Sequence, residues 1–426
     1  MGNWLVKLQE MISIKFFTAK RYEKLRAKAI KDGSRRKYKK SDVFSSGIVA
    51  VGIGFAVLLV ISPAIWQIRD LREYMLLMYA YVLMSAFRHI CSFFVRAIDK
   101  TKLFAIDGIF STFMTSLLTI IFLIPLKMGI VGYLLAIILA DLSSVIFLTV
   151  NGKLLPFVKF KGLDKRLTAK MIRFSLPLIP TSLLWWVVNV SDRYFVKYMI
   201  SDAANGLYAA AYKVPTILTL VSAIFLDAWQ ISAVVENKSR SRNAFYSDIF
   251  VSFQGGIFVV GSVLILFAKL ITKILLAPTY YDSWQYIPTL IFATVFSCFV
   301  VFLGNIYLAE KRSVATLITT LIGAVLNIIL NGFMINRMGA QGAAVATLIS
   351  YFAVFLFRAI DIKRRNCDIS FAPFKTIVNS CLLTAQTVLM LAEPKHWVVY
   401  QILCLVALTA FNFKTLLELL KKIIKR

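Results

Sequence analysis

The feature that most constrains this chain is a set of apolar segments repeated at an offset of 210 residues. Gly129-Ile130-Val131-Gly132-Tyr133-Leu134-Leu135-Ala136 aligns with Gly339-Ala340-Gln341-Gly342-Ala343-Ala344-Val345-Ala346. Upstream, Lys127-Met128-Gly129 aligns with Arg337-Met338-Gly339, and the charged break Lys100-Thr101-Lys102 aligns with Glu310-Lys311-Arg312. The apolar segments around these landmarks keep the same spacing. Each is about 20 residues long, the length a helix needs to cross the hydrocarbon of a bilayer. A repeated set of membrane helices predicts two bundles facing each other across a central site, as in secondary transporters.

Composition agrees with a membrane chain. Hydrophobic residues make up 59% of the sequence and the mean hydropathy is +0.76, well above the apolar share of a soluble domain. The formal charge is +28, from 49 Lys and Arg against 21 Asp and Glu. In a soluble protein that balance would suggest nucleic acid, but here the cations sit in the short stretches between apolar segments, and no nucleic-acid motif accompanies them. Cys91, Cys298, Cys367, Cys381 and Cys404 lack the paired short spacing of zinc or redox sites. No Walker loop and no metal-ligand cluster is visible, and the only histidines are His89 and His396. The chain is therefore expected to be neither an enzyme nor an ATP-driven pump, and to need no cofactor.

Twelve spans are expected, near 44–66, 75–97, 104–124, 130–150, 172–193, 207–227, 247–267, 286–308, 314–333, 340–360, 372–392 and 397–413. Segments on one side of the membrane then carry 37 Lys and Arg, and those on the other carry 9. Basic loops stay in the cytoplasm, so both termini and the loop 151–173 are expected there. The expected fold class is all-α and polytopic, with two pseudo-symmetric bundles. Its parts are a basic tail at 1–43, with no apolar core for a cleavable leader, a first bundle of four spans at 44–150, a second bundle of six at 172–360, and a further helix pair with a basic tail at 372–426. Shifted back by 210, the spans 172–193 and 207–227 find no counterpart, so the first bundle is expected to lack two helices.

Residues 172–246 carry the most distinctive pattern. Ser175-Leu176-Pro177-Leu178-Ile179-Pro180 opens a span that continues through Trp185-Trp186 and Asn189 to Ser191-Asp192-Arg193-Tyr194. There follow Asn205-Gly206-Leu207-Tyr208, Ala211-Tyr212-Lys213-Val214-Pro215 and Phe225-Leu226-Asp227-Ala228-Trp229-Gln230-Ile231-Ser232-Ala233. In this order the pieces resemble the polysaccharide (O-antigen or capsule repeat-unit) flippases, Wzx-like members of the multidrug/oligosaccharidyl-lipid/polysaccharide exporter superfamily. The resemblance extends from about residue 44 to the C-terminus. It implies a bacterial inner-membrane transporter that flips undecaprenyl-diphosphate-linked oligosaccharide by alternating access. It further implies work alongside a polysaccharide polymerase and chain-length machinery. A cation-coupled multidrug antiporter, a lipid II flippase and a truncated inactive membrane protein are the alternatives. Family members usually have six helices per bundle plus two more, so a four-span first bundle reads as a shortened variant or a lost start.

A lipid-linked oligosaccharide presents a diphosphate whose charge is costly in hydrocarbon unless a cation meets it. Arg88, about thirteen residues into its span beside His89, is expected either to contact that diphosphate or to pair with Asp141 or Asp107. Lys213, two residues before Pro215, is expected either to face substrate or to pair with Asp192. Pro215 should loosen its helix. Asp192 and Arg193, read as a helix end, are expected to form an interfacial ion pair or a gate. Asp141 is a possible coupling-ion site. Trp185 and Trp186 lie deeper than an interfacial belt requires, and either stack on sugar faces or pack between helices. Arg358 is counted among the loop cations.

Overall fold

The computed structural model describes residues 39–67, 72–159, 161, 164–236, 242–365 and 369–424. The expectations for residues 1–38, most of the basic tail, lie outside the described residues. The fold is all-helical over the described residues, and twelve spans are long and apolar enough to cross a membrane.

The chain divides into two compact units, one ending at Ser175 and the other beginning at Leu176. In the first unit the long helices are α1 (Lys40–Ile65), α2 (Met75–Ala97), α3 (Thr101–Leu123) and α4 (Gly129–Gly152), followed by the short α5 (Lys165–Ser175). Helix α4 packs along both α2 and α3. A small core of Phe44, Cys91, Phe94, Val95, Leu148 and Leu154 closes one end. The buried hydroxyl of Thr168 on α5 donates to Ser46 on α1 at 2.9 Å, tying the short helix back to the unit.

The second unit contains α6 (Leu178–Met199), α7 (Asp202–Ala211), α8 (Pro215–Glu236), α9 (Arg242–Leu266), α10 (Ala268–Leu275), α11 (Ile287–Ala309), α12 (Ser313–Met338), α13 (Ala340–Arg365), α14 (Pro373–Ala392) and α15 (Trp397–Ile424). Its core is aromatic. Phe250 stacks against Phe355 and meets the edges of Phe299, Phe302 and Phe371, which locks α9, α11 and α13 together. Helices α14 and α15 pack on each other and on α9, so the C-terminal pair is part of this unit.

Two spans differ from the sequence expectation. The fifth runs from Lys165 to Met199, 35 residues, or about 52 Å of helix against a hydrocarbon core of about 30 Å. A break at Leu176–Pro177 divides it into α5 and α6. The basic α5, with Lys165, Arg166, Lys170 and Arg173, thus takes the part that hydrocarbon cannot hold. Helix α6 also runs six residues past Arg193, because Tyr194, Phe195, Val196, Tyr198 and Met199 are apolar enough to continue it. The sixth span is α7 plus α8, interrupted at Tyr212–Val214. Pro215 is the first residue of α8 and has no N–H to donate into the preceding turn, so the expected loosening is a tightened turn in which Lys213 N–H donates to the Ala210 carbonyl at 3.1 Å and Val214 N–H to that of Ala211 at 3.3 Å.

The repeat has a steric basis. Helices α2, α3 and α4 start 212, 212 and 211 residues before α11, α12 and α13. Gly129 and Gly339 both take left-handed backbone, with φ of 57° and 60°, a conformation that side chains other than glycine's disfavour. Three residues on, Gly132 and Gly342 sit where a Cβ has no room. At Gly132 it would meet the Met128 Cβ at 2.7 Å, and at Gly342 the Met334 carbonyl oxygen at 2.3 Å. Both glycines therefore let one helix turn tightly into the next. The Gly342→Ala substitution should cost about 3 kcal/mol through overpacking against backbone, read as a lower melting temperature in detergent. Gly332→Ala, which meets nothing within 4 Å, should leave the melting temperature unchanged or raise it.

Candidate functional site

The most developed polar centre lies inside the second unit, around Asp192. This carboxylate is wholly buried and lies seven residues, about 10 Å, inside the end of α6. Four neutral donors converge on it. The Thr347 hydroxyl on α13 donates to Oδ2 at 2.5 Å and the Tyr212 hydroxyl at 2.9 Å. Tyr208 on α7 donates to the same oxygen at 3.3 Å, and the Asn331 amide on α12 donates to Oδ1 at 2.7 Å. Local chemistry sets up this convergence. Ser201 caps α7 through the Ala204 N–H at 3.1 Å, and the break before Pro215 places Tyr212 in a turn.

A second layer fixes the first. The Asn327 amide donates to Thr347 Oγ1 at 3.1 Å, while its Oδ1 accepts from Asn331 at 3.1 Å and from Ser191 at 3.0 Å. Asn327 and Asn331 are both wholly buried, and the Asn331 Oδ1 has no hydrogen-bond partner among the described residues. Among those residues Asp192 has no cationic partner, and neutral dipoles alone surround its carboxyl group. Carboxylate, amide and hydroxyl oxygens suit a hard cation, and one negative charge suits a monovalent one. No group of three His, Cys, Asp or Glu able to hold a metal occurs among the described residues.

The first unit holds a different centre. Arg88 on α2 pairs with Asp141 on α4 at 3.2 Å, with side-chain exposures of 26% and 5%. Asp107 on α3 is buried and accepts from the Ser144 hydroxyl. Its Oδ2 and the Arg88 Nε are buried without hydrogen-bond partners among the described residues. Of the alternatives for Arg88, the structure shows the pair with Asp141. Asp141 is thereby already engaged by a cation, unlike Asp192.

The remaining candidates separate. Lys213 is exposed in the break between α7 and α8 and forms no ion pair with Asp192. Asp192 and Arg193 form neither a helix end nor an ion pair. Arg193 instead stacks on the Tyr212 ring at 5.3 Å, because successive helical residues point about 100° apart. Trp185 stacks on Tyr351 at 5.8 Å, a packing contact. Trp186 is 60% exposed and walls a cavity of about 260 Å³ with Val190, Ser191, Tyr194 and Ile328. Asn327, Asn331 and Thr347 were not singled out from sequence. The available signal was two amides four residues apart in an apolar span, hence on one helix face.

Replacing Asp192 should test how far the second unit depends on this centre. Asp192→Leu leaves the Tyr208, Tyr212 and Thr347 hydroxyls without their acceptor and the Asn331 amide with Asn327 alone, and should cost about 3 kcal/mol, whereas Asp192→Asn keeps an acceptor and should cost about 1 kcal/mol. Thermal unfolding of the purified protein reads both. Equal melting temperatures for Leu, Asn and wild type would show that the donors do not rely on the carboxylate.

Known proteins bear on these geometries. Residues 21–230 match the family described as "Polysaccharide biosynthesis protein". An uncharacterized membrane protein of Methanocaldococcus jannaschii is 25% identical over 274 residues, 59% of this chain, and the chain spans 62% of that relative's length. Among solved structures, a Vibrio cholerae MATE transporter superposes with a TM-score of 0.64 at 14% identity, covering 85% of this chain and 87% of that one. A multidrug resistance MATE family transporter of the MOP superfamily gives 0.66 at 15% identity, covering 85% and 84%. A MOP superfamily transporter from Pyrococcus furiosus gives 0.62 at 14% identity, covering 84% and 85%. The fold is thus the MATE fold, and residues 21–230 carry the pattern of the polysaccharide biosynthesis family.

Proposed function

We propose that this protein flips a polyprenyl-diphosphate-linked oligosaccharide across the bacterial inner membrane, and that a monovalent cation at Asp192 drives the cycle. The observation that carries the substrate is the polysaccharide biosynthesis family pattern over residues 21–230. The charges at membrane depth support it. Arg88 is partly exposed and presents Nη1 to Asp141, and a guanidinium keeps further N–H donors that can meet a phosphate. Lys213 adds a second exposed cation. Trp186, exposed beside an apolar cavity, supplies a face for sugar or prenyl carbon.

The excess of basic residues in one set of loops supports cytoplasmic termini, and the lipid-linked substrate on this reading is taken from the cytoplasmic leaflet. A multidrug antiporter on the same fold is the second reading, favoured by the buried acid Asp192. It accounts less well for Arg88 and Lys213, since a cationic drug gains nothing from them.

Substrate contact at Arg88 and its structural pairing call for separate tests. The triple variant Arg88→Leu/Asp107→Asn/Asp141→Leu removes the pair together with the charge of the buried Asp107 beside it, so no buried charge is left unpaired. It should insert at wild-type levels yet lower surface polysaccharide at least roughly tenfold in a flippase-null host, as expected for a lost charge-assisted contact. Lys213→Ala should act in the same direction, more weakly. Full complementation by both variants would remove the diphosphate contact from the account.

A further inference from the structure

Arg358 is the largest wholly buried side chain of the second unit, with 1% exposure. It lies on α13, two turns inside the basic end formed by Lys363, Arg364 and Arg365. From sequence it counts among the loop cations, and the structure corrects this. Its guanidinium is held by neutral groups alone, with Cζ 5.8 Å from the centroid of the Tyr307 ring. Nη1 donates to the Val300 carbonyl at 2.7 Å, Nε to Thr319 Oγ1 at 3.0 Å, and Nη2 to Thr320 Oγ1 at 3.0 Å. Gly304 leaves it room, since a Cβ there would lie 2.8 Å from Nη1. The nearby acids are committed elsewhere. Asp361 accepts from the Tyr307 hydroxyl at 2.6 Å and pairs with Arg365, and Glu310 pairs with Arg365 at 3.2 Å. Among the described residues, no carboxylate is in contact with Arg358.

Among its described residues the second unit therefore buries one arginine and one aspartate, each caged by neutral groups. The same helix carries both cages. Thr347, which binds Asp192, and Arg358 are eleven residues apart on α13, about 16 Å. The space between them is close-packed. The Trp185–Tyr351 stack lies there, beside a cavity of only about 10 Å³ that shares Val300 and Thr320 with the arginine cage. Such packing holds at most a single water, so the field between the two charges is weakly screened.

We infer that Arg358 is the remote counter-charge of Asp192 and sets how tightly the Asp192 centre holds a monovalent cation. Without a cation the two buried charges balance. A bound cation neutralises Asp192 and leaves Arg358 uncompensated, which weakens binding and favours release in each cycle. At about 16 Å and an effective dielectric constant of about 20, the interaction changes affinity roughly fivefold. Arg358 acts through the field and not through contact with the ion, so it is a positioning residue for the charge balance. The inference rests on the cation reading of Asp192, and the test separates the two.

Equilibrium binding of radioactive Na⁺ to the purified full chain is measured at constant ionic strength, for wild type and four variants. Asp192→Asn should abolish saturable binding. Arg358→Gln should tighten it roughly fivefold, while Arg358→Lys, which keeps the charge and loses most of the hydrogen bonds, should stay near wild type. Thr319→Asp supplies a carboxylate beside Nε and leaves the guanidinium in place, so it should tighten binding as Gln does even where Arg358→Gln is unstable. Binding by Thr319→Asp indistinguishable from wild type would overturn the counter-charge role. An equal shift in the Lys and Gln variants would also overturn it, because that shows a structural effect. Absence of saturable Na⁺ binding in wild type would instead overturn the cation reading itself, and this inference with it.

Discussion

A carboxylate inside hydrocarbon is tolerated only where donors replace the water it has lost. Asp192 imposes that demand on the second unit. Its four donors come from α7, the turn after α7, α12 and α13, so one charge on α6 fixes the positions of its neighbours. The break before Pro215 belongs to the same arrangement, because an unbroken helix would not place Tyr212 in a turn. Arg358 makes the opposite demand lower down α13, where carbonyls and threonine hydroxyls meet it. Between these two cages the unit is packed with aromatic side chains.

The repeat extends to backbone and not to chemistry. Gly129 and Gly132 perform the same steric tasks as Gly339 and Gly342. At the same offset, however, Asn327, Asn331 and Thr347 fall on Leu117, Ile121 and Ile137, and Arg358 falls on Leu148. In the other direction Arg88 and Asp107 fall on Cys298 and Leu317, and Asp141 on Tyr351. Each unit thus carries its own polar centre on a shared frame. The first holds a contact ion pair with a second acid beside it. The second holds a lone acid and a lone base apart. This division suits a transporter whose substrate is anionic and whose driving ion is cationic, since the two need different surroundings.

The spans and the repeat were legible in the sequence because both follow from local pattern. Apolar length fixes a membrane helix, and the starts of α2 and α4 came out within a residue of the structure. Charge misled the reading at two places. Asp192-Arg193 was taken for a helix end because two charges usually mark an interface, yet buried amides 135 and 139 residues beyond Asp192 hold the acid inside. Arg358 looks like a loop cation because basic residues follow it. In both cases the compensating groups are neutral and distant in sequence, so no charge pattern points to them. The Arg88–Asp141 pair was foreseen as an alternative because both residues stand alone in apolar spans, where each needs a partner.

The central claim is that a cation held at Asp192 moves an anionic lipid-linked saccharide. The most direct measurement reconstitutes the purified full chain in liposomes with a fluorescent polyprenyl-diphosphate oligosaccharide and follows its transfer between leaflets by quenching. Wild type should flip faster under a Na⁺ gradient than without one, and Asp192→Asn should lose that dependence. Transfer at one rate in both conditions, equal for wild type and Asp192→Asn, would contradict the account.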